Sequence, residues 1–303
     1  MNIHDATSAD QVQTVLGNQD YLADQGLATA IFLALRLKRP LLLEGEAGVG
    51  KTEVAKALAA ASGGKLIRLQ CYEGLDAAQA VYEWDYAKQL LHLRAAEATG
   101  AAQGLETKPL EDEMYQERFL IRRPLMQALA SESGTPPVLL IDEVDRADDE
   151  FEAFLLEILS DYSVTVPELG TFTAEQAPVV IITSNRTRDV HDALKRRCFY
   201  HWVEHPGVER EIEILRLRAP EVSLSLARDV ALVAAELRQM GLYKPPGVAE
   251  TIDWAEALVT VGVDDLDEEA FASTISALLK YREDQQRASA RGFGDILALV
   301  RPG

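Results

Sequence analysis

The 303-residue sequence contains only two cysteines, Cys71 and Cys198, and five histidines. The cysteines are far apart and lack the spacing of metal ligands, and the histidines are scattered without forming a ligand cluster. We therefore expect each cysteine to be a small buried residue at a strand and not a redox centre. A reduced, cytoplasmic setting follows as the default expectation.

Long apolar runs and an excess of positive charge are also missing. No apolar stretch approaches the roughly 18–20 residues of a membrane span, and the first residues lack the apolar core of a signal peptide. The formal net charge is −19, whereas non-specific binding of DNA or RNA needs clustered lysine and arginine. The same charge repels anionic membrane surfaces. These absences indicate a globular protein with enough residues for two domains.

The most informative stretch starts at Pro40 and reads PLLLEGEAGVGKTEVAKALA. Its leucines predict a buried strand, and the apolar residues after the glycines recur at helical spacing. Between strand and helix, the chain matches the phosphate-binding pattern G-x-x-x-x-G-K-[ST], in which backbone N–H groups converge on a phosphate. A glycine-rich turn that precedes a lysine by chance would not explain both flanking elements. The residues predicted to bind nucleotide in this stretch are Gly45, Glu46, Ala47, Gly48, Val49, Gly50, Lys51, Thr52 and Glu53.

The chemistry of this pattern assigns roles to two side chains. Lys51 can reach the β- and γ-phosphates, and the Thr52 hydroxyl can ligate Mg²⁺. The sequence therefore predicts binding of ATP or GTP with Mg²⁺.

Two acids follow a second predicted strand. Residues 138–141 are a continuous apolar run that ends in Asp142 and Glu143. Asp142 would hold Mg²⁺ together with Thr52, directly or through water, and Glu143 would activate the attacking water as a general base. Acids at a strand end can also be simple helix caps. The phosphate-binding pattern about 90 residues earlier favours the catalytic interpretation.

Three further side chains complete the predicted catalytic set. The strand predicted over residues 179–183 leads to Asn185, whose amide can position the water and sense the γ-phosphate. Arg196 and Arg197 lie just before the strand predicted over residues 199–203. From the residues alone, this pair could equally be a basic surface patch.

The periodicity along the chain predicts two domains. Strands alternate with helices over residues 1–205. Within residues 206–303, which predict an all-helical domain, the segments with helical periodicity are Val208–Arg218, Ser223–Met240, Val248–Val261 and Leu266–Arg282. The tail, residues 283–303, predicts a last short helix or a docking segment. Residues 162–178 predict a hairpin inserted in the first domain. The aromatic residues between 72 and 94 either pack into the core or line a loop that grips a partner polypeptide. Residues 95–117 predict a surface connection.

The order of these features resembles an AAA+ ATPase over nearly the whole chain. The resemblance is most specific to the MoxR family, whose members are ATP-driven chaperones that help to activate metalloenzymes. Within that family the chain looks closest to the CoxD type, associated with maturation of molybdenum-containing carbon monoxide dehydrogenase and its relatives. The stretches that carry the resemblance are RPLLLEGEAGVGKTEVAKALA, LIRLQCYEGLDAAQAVYEW, LLIDEVDRADDEFEAFLLEILSD, SNRTRDVHDALKRRC and YKPPGVAETIDW.

The resemblance implies a fold and a set of site residues. The expected fold is α/β, an AAA+ P-loop NTPase with a five-stranded parallel sheet flanked by helices and followed by an all-helical lid domain. Asp142 and Glu143 match the Walker B acids, and Asn185 matches sensor 1. Arg197 matches the arginine finger, which reaches the γ-phosphate of the neighbouring subunit, with Arg196 as its adjacent alternative. The Walker A roles fall to Gly45, Gly48, Gly50, Lys51 and Thr52.

The resemblance also implies partners. A finger supplied in trans requires a homo-oligomeric ring, most often a hexamer. The client would be a metalloenzyme, and a von Willebrand A-domain adaptor is a further expected partner. The hairpin at residues 162–177 and the region of residues 72–86 resemble pore-facing segments of such rings.

Two departures from the family pattern stand out. Family members commonly carry a sensor 2 arginine at the start of a lid helix, in a pattern such as S-P-R-A. The counterpart here, residues 246–250, reads PGVAE and has no arginine. Lid closure would then be coupled to hydrolysis weakly or through another residue. Ala47 also stands where many relatives have proline, which would loosen the loop slightly.

The leading prediction is therefore an ATP-hydrolysing remodelling chaperone. A nucleotide-gated binding scaffold with little hydrolysis is the first alternative, because the sensor 2 arginine is missing. A DNA-directed AAA+ motor is the second, and the acidic charge argues against it.

Overall fold

A computed structural model describes residues 1–98, 113–131 and 134–300. The chain forms two compact units, which we call the sheet unit and the helical unit. The sheet unit comprises Met1–Val15, Asp24–Glu44 and Ala55–His201, and the helical unit comprises Leu16–Ala23, Gly45–Val54 and Trp202–Gly303. The sequence-based division into residues 1–205 and 206–303 remains a prediction.

The central feature of the sheet unit is a five-stranded sheet. The strands of the described chain are β1 Leu41–Gly45, β2 Leu66–Gln70, β3 Tyr82–Trp84, β4 Leu120–Arg122, β5 Val138–Asp142, β6 Ser163–Val166, β7 Gly170–Thr173, β8 Val179–Ser184 and β9 Phe199–Val203. The central sheet has the order β2-β5-β8-β1-β9. β1 pairs with β8, β8 with β5, and β5 with β2, all in parallel. The five-stranded parallel sheet predicted from the sequence is confirmed.

The strands that read as continuous apolar runs are the buried ones. Every residue of β1 and of β5 is buried, as expected for parallel strands covered on both faces. The carboxyl ends of parallel strands meet at one edge of a sheet, which is where ligands bind in α/β folds. Asp142 is the last residue of β5, Glu143 follows it, and Asn185 follows β8, so all three share this edge.

The other long elements of the described chain are helices. They are α1 Ala9–Gly17, α2 Gln25–Leu37, α3 Lys51–Ser62, α4 Ala77–Val81, α5 Tyr86–Ala98, α6 Pro124–Leu129, α7 Asp149–Asp161, α8 Asp192–Arg197, α9 Val208–Arg218, α10 Leu224–Gln239, α11 Val248–Thr260, α12 Glu268–Leu278, α13 Arg282–Arg291 and α14 Phe293–Val300. None of the helices in the described residues has the length and apolarity needed to cross a membrane.

The helix α7 shows how local sequence builds the sheet unit. Asp148 caps its first turn, since the carboxylate accepts a hydrogen bond from the Phe151 N–H at 2.9 Å. Phe151, Leu155 and Ile158 recur at helical spacing and are buried. They belong to the same apolar cluster as residues of β2, β5 and β8. The apolar stripe therefore fixes α7 against the sheet.

Two small antiparallel sheets accompany the central one. β6 pairs with β7 as the hairpin that the alternation over residues 162–178 predicts. β3 pairs with β4, a pairing that the sequence pattern did not reveal.

The aromatic residues near β3 divide between the two predicted environments. Trp84 is 7% exposed, whereas Tyr72 is 48% and Tyr86 is 67% exposed. Trp84 is therefore a core residue, whereas contact of the exposed Tyr72 and Tyr86 with a partner polypeptide stays a prediction. The connection predicted over residues 95–117 falls mostly on residues 99–112, outside the described residues.

The helical unit has its own apolar core around Trp254. The Trp254 ring packs against Phe271 with centroids 5.3 Å apart, and its Nε1–H donates to Thr274 Oγ1 over 2.8 Å. Indole groups need such a partner when they are fully buried. The polar tail beyond residue 282, predicted to hold one short helix or a docking segment, forms the two helices α13 and α14.

Candidate functional site

The glycine-rich loop lies between β1 and α3. Gly45 ends β1, and Lys51 begins α3, with Thr52 in its first turn. Gly48 and Gly50 have φ angles of 81° and 94°, a region that residues with a β-carbon rarely adopt. The tight backbone turn that the sequence predicts for this loop therefore depends on both glycines.

Lys51 is nearly buried within the loop, at 6% exposure. Its Nζ donates to the carbonyl oxygens of Gly45 and Glu46 over 2.8 and 2.6 Å. These two carbonyls satisfy donors of the ammonium without neutralising its charge. Phosphate oxygens suit such a group because charge-assisted hydrogen bonds are the stronger ones.

The remaining loop residues are less enclosed or serve packing. Ala47 is exposed and Val49 is buried. The Glu46 carboxylate is 3.0 Å from His205 Nε2. Glu53, in the first turn of α3, lies 3.7 Å from Arg218. Both acids therefore contact basic side chains of the helical unit, to which they also belong.

The start of α11 contacts this loop through backbone. Val248 N–H donates to the Gly48 carbonyl over 2.9 Å. A β-carbon on Gly247 would lie 2.7 Å from Gly48 Cα, which is too close. Glu250 accepts a hydrogen bond from Gly247 N–H over 3.1 Å. The segment without a sensor 2 arginine thus meets the phosphate loop by glycine-to-glycine packing.

Asp142 is placed at the end of β5 and is 3% exposed. Its Oδ2 accepts hydrogen bonds from Arg68 Nε over 3.0 Å and Arg68 Nη2 over 2.6 Å. Its Oδ1 accepts from Thr183 Oγ1 over 2.5 Å. Carboxylate oxygen is the ligand type that Mg²⁺ prefers.

Glu143 follows β5 with a left-handed backbone, at φ 55°. Its Oε1 accepts from Asn185 Nδ2 over 3.1 Å. Its Oε2 accepts from Gln70 Nε2 over 3.0 Å and from Arg146 Nη1 over 3.1 Å, and its backbone N–H donates to Thr183 Oγ1 over 2.9 Å. The structure therefore brings together two of the predicted catalytic residues, Glu143 and Asn185, and holds the carboxylate from three sides.

Asp145 fixes the loop that carries Asn185. It is 2% exposed and accepts hydrogen bonds from Asn185 N–H over 3.1 Å and Thr187 N–H over 2.8 Å. The sequence contains a signal for Asp145, because this third acid closely follows the predicted pair in the VLLIDEVDR stretch. Arg68, Gln70 and Thr183 offered none, because they become neighbours of the acids only through the strand order.

Arg196 and Arg197 are the last two residues of α8, and both are exposed. Arg197 Nη1 donates to the Leu156 carbonyl over 2.5 Å and also bonds Ser160 Oγ. The Arg197 guanidinium therefore lies against the end of α7 of its own chain. Within the described residues, no hydrogen bond or ion pair joins it to the Glu143 carboxylate.

Both cysteines are free and buried, beside strands as predicted. The pKa of each thiol is raised to about 12, chiefly by burial, and for Cys71 the nearby carboxylates, Asp142 first, contribute to that rise. These thiols are therefore protonated at neutral pH.

No group of three or more histidine, cysteine, aspartate or glutamate residues is arranged to hold a metal within the described ranges. The predicted Mg²⁺ ligands Thr52 and Asp142 stay a prediction. The buried, guanidinium-paired carboxylate of Asp142 fits that role chemically.

Comparison with known proteins gives one family match and several similar folds. Residues 40–198, just over half of the chain, match the family model described as AAA domain (dynein-related subfamily). A crystal structure described as that of a putative ATPase from Cytophaga hutchinsonii is 15% identical, with 96% of this chain and 92% of that chain covered and a TM-score of 0.48. The RuvB Holliday junction branch migration motor of Thermotoga maritima is 15% identical, with coverage of 94% and 75% and a TM-score of 0.46.

Proposed function

The chain belongs to the AAA domain family, dynein-related subfamily, and is a nucleotide-binding AAA+ ATPase; from this premise we propose that it is a ring-forming chaperone of MoxR type. In this proposal, residues 45–53 bind ATP, and Thr52 and Asp142 hold Mg²⁺. Glu143 activates water, Asn185 orients it, and Arg197 or Arg196 completes the pocket of a neighbouring subunit. The client is a metalloenzyme, of the class of molybdenum-containing carbon monoxide dehydrogenase.

One observation carries the catalytic part of the proposal. The Glu143 carboxylate is bound by Asn185, Gln70 and Arg146 at distances of 3.0 to 3.1 Å. A general base must be held in one orientation to take a proton from a defined water. An acid that merely capped a helix would instead accept from N–H groups of the first turn. In the described residues, the Glu143 carboxylate has side-chain partners from β2, from the segment after β5 and from the segment after β8.

The ring is supported by the position of the arginine pair. AAA+ proteins commonly assemble into rings, and an arginine supplied by the neighbour stabilises charge on the transferred phosphoryl group. Arg196 and Arg197 are exposed at the end of α8. We propose a hexamer with Arg197 as the finger. To act in trans, Arg197 has to leave the Leu156 carbonyl and Ser160, which a side-chain rotation can do.

The choice of client rests on the family resemblance alone. The LIRLQCYEGLDAAQAVYEW, SNRTRDVHDALKRRC and YKPPGVAETIDW stretches are the ones that narrow MoxR to the CoxD type. We propose that the protein works in the cytoplasm with a von Willebrand A-domain adaptor. ATP hydrolysis would change the contacts between subunits and so move a bound client.

The first experiment measures ATP turnover per subunit as the protein is diluted through its assembly range. Sedimentation velocity or mass photometry in the same buffer gives the oligomeric state. Turnover should fall together with the fraction of rings, because each site needs an arginine from a neighbour. Full turnover by isolated monomers would overturn the ring and its finger.

The second experiment tests the client. A molybdenum hydroxylase is co-expressed with the wild-type protein or with its Glu143→Gln variant, and the hydroxylase is assayed for metal content and activity. Maturation should require the wild-type protein. Equal maturation in both strains, with the ATPase itself intact, would refute the client assignment and leave the ATPase standing.

A nucleotide-gated scaffold is the second candidate. The observation in its favour is the backbone contact between Val248 and Gly48, in the segment where a sensor arginine is absent. A scaffold would bind ATP and assemble, with hydrolysis so slow that Glu143→Gln changes little. Single-turnover hydrolysis in assembled rings therefore separates the two candidates.

A further inference from the structure

The helix that ends in Arg196 and Arg197 is held by one residue just before β1 and by one residue within it. Arg39 lies two residues before β1, and Glu44 is its fourth residue. Both contact α8, Arg39 at its carboxyl end and Glu44 at Lys195. We propose that Arg39 and Glu44 are positioning residues, which fix the direction in which this arginine pair leaves the subunit. The inference rests on the proposed trans role of the pair.

Arg39 caps the end of α8. Its Nε donates to the Arg197 carbonyl over 3.0 Å, and its Nη2 donates to the Arg196 carbonyl over 2.7 Å. The last carbonyls of a helix lack partners within the helix, and a cation at that end is favourable. A guanidinium that spans two successive carbonyls fixes the orientation of both peptide groups. These are the peptide groups of the two residues proposed to face the neighbouring subunit.

The plane of the Arg39 guanidinium is itself restrained. Its Cζ lies over the Phe199 ring, 5.2 Å from the centroid, an arrangement in which the ring face attracts the cation. The Phe199 N–H donates to the Pro40 carbonyl over 2.8 Å. Phe199, at the start of β9, and Pro40, just before β1, therefore restrict the Arg39 side chain to one orientation. A flexible surface arginine would sample several orientations.

Glu44 holds the middle of α8 by charge. It is 2% exposed, and its Oε1 is 3.6 Å from Lys195 Nζ. That oxygen has no hydrogen-bond partner within the described part of the chain, so the pairing with Lys195 is Coulombic. Burial, followed by a hydrogen bond with Glu44, raises the pKa of Tyr200. A carboxylate this deeply buried needs a cation nearby, and the residue that supplies it directly precedes Arg196.

Strand β1 therefore connects the glycine-rich loop to the contacts that hold α8. β1 leads directly into the glycine-rich loop, and the two residues that hold α8 are Glu44 in this strand and Arg39 just before it. A change at the loop that shifts β1 would therefore also shift the arginine pair.

The test is complementation in mixed rings. Arg39→Ala should lower kcat by roughly ten- to hundredfold, because a misplaced catalytic group loses that much. Affinity for a fluorescent ATP analogue should stay at the wild-type value, since the subunit's own loop is intact. Mixing Arg39→Ala with Glu143→Gln subunits should restore activity. At equal amounts, about a quarter of the interfaces then pair an intact acid with an intact finger.

Two further variants control the experiment. Arg36→Ala removes an exposed arginine that likewise lies over a phenylalanine, with its Cζ 5.9 Å from the Phe32 centroid, and it should leave kcat unchanged. Arg39→Lys keeps the charge and one donor and should recover part of kcat. Where Arg39→Ala does not fold, Arg39→Gln serves in the same mixture, with a melting curve for each variant.

The outcomes distinguish a failure of the positioning role of Arg39 from a failure of the proposed trans role of Arg197. Arg197→Ala mixed with Glu143→Gln tests the trans finger itself. If that mixture regains activity but the Arg39→Ala mixture does not, the positioning role is refuted and the ring stands. If neither mixture regains activity, the trans arrangement is refuted. Equal losses of kcat and nucleotide affinity in Arg39→Ala would also overturn the inference, because they would indicate a defect in the subunit's own loop.

Discussion

Asn185 donates a hydrogen bond from Nδ2 to Oε1 of Glu143 over 3.1 Å, across two neighbouring strands. β5 and β8 pair in parallel with Ile141 opposite Ile182. Their carboxyl ends therefore fall at the same level, and the residues just beyond them meet. The contact follows from strand order and register, which is why residues about 40 apart in sequence can act on one water.

Glu143→Gln should abolish turnover while preserving nucleotide binding. The amide keeps the size of the side chain and can still contact Asn185, but it cannot accept a proton. Turnover should fall by roughly two orders of magnitude or more, the usual effect of removing a general base. Steady-state ATPase assays and equilibrium binding of a fluorescent ATP analogue measure the two effects. Glu150→Gln, at an exposed position of α7, is the control. An equal loss of binding would indicate a structural role.

Asn185→Ala should lower turnover by roughly ten- to hundredfold, through the loss of the group that orients Glu143. The double variant with Glu143→Gln should be hardly slower than Glu143→Gln alone, because residues that act as a unit are not additive. A double-mutant cycle on kcat measures this. Simple additivity of the two losses would mean that Asn185 acts independently of Glu143.

Arg68→Gln should make the metal-free protein less stable. Asp142 would lose the guanidinium that neutralises it, while its side chain is 4% exposed. Because Arg68 is half exposed, the loss should be about 1–3 kcal/mol, less than for a fully buried pair. Mg²⁺ with ADP should raise the melting temperature of the variant more than that of the wild type, since the cation replaces the missing charge. Calorimetric melting with and without Mg²⁺ measures both effects.

The control for Arg68 is Arg118→Gln, which removes an exposed ion pair with Glu113. Its melting temperature should respond to Mg²⁺ as the wild type does. If Arg68→Gln and Arg118→Gln respond alike, Arg68 does not share a role with the cation at Asp142.

Gly247→Ala should disturb the contact between α11 and the glycine-rich loop. The added methyl group would lie 2.7 Å from Gly48 Cα, so backbone has to move, at a cost of about 1–3 kcal/mol. Nucleotide affinity should change with it, because Gly48 belongs to the loop. Gly207→Ala is a matched control: Gly207 is also the N-cap of a helix, α9, and a methyl group there meets nothing within 4 Å. Chemical denaturation and ATP-analogue binding distinguish the two variants, and equal effects would refute the close-packing argument.

The two cysteines should resist thiol reagents in the folded protein. Their pKa is raised from 9.0 to about 12, so neither forms a thiolate at pH 8, and both are buried. Labelling at pH 8 should therefore be slow and should become fast in denaturant. A raised thiol pKa also fixes the sign of the pH dependence. The protonated thiols contribute fully to the free energy of unfolding below pH 9, and this contribution is lost as the pH rises from 9 towards about 12. Denaturation midpoints from pH 7 to 10.5 measure this, and Cys71→Ala with Cys198→Ala should flatten the decline.

The parts of the fold that sequence predicts well are those with local signals. β1 and β5 read as continuous apolar runs, and α9 has the bounds that its periodicity gives. The glycine-rich loop is recognisable because its φ angles of 81° and 94° require glycine. Each of these features depends on residues that are close together in the sequence.

The parts that sequence misses depend on distant neighbours. Arg68 and Gln70 alternate on β2 as ordinary polar residues would, and only the pairing of β2 with β5 brings them to the two acids. β3 and β4 have three residues each and lie far apart in the chain, too short for a periodic signal. The cap that Arg39 places on α8 joins residues more than 150 positions apart. No local pattern encodes such contacts.

The left-handed backbone of Glu143 has a consequence for the evolution of this protein. A residue with a β-carbon at φ 55° costs about 1–2 kcal/mol relative to a relaxed conformation. Glycine or asparagine would accept that geometry more readily. A laboratory selection for heat resistance alone would therefore favour replacing Glu143, and survivors of that kind would lack the general base that we propose.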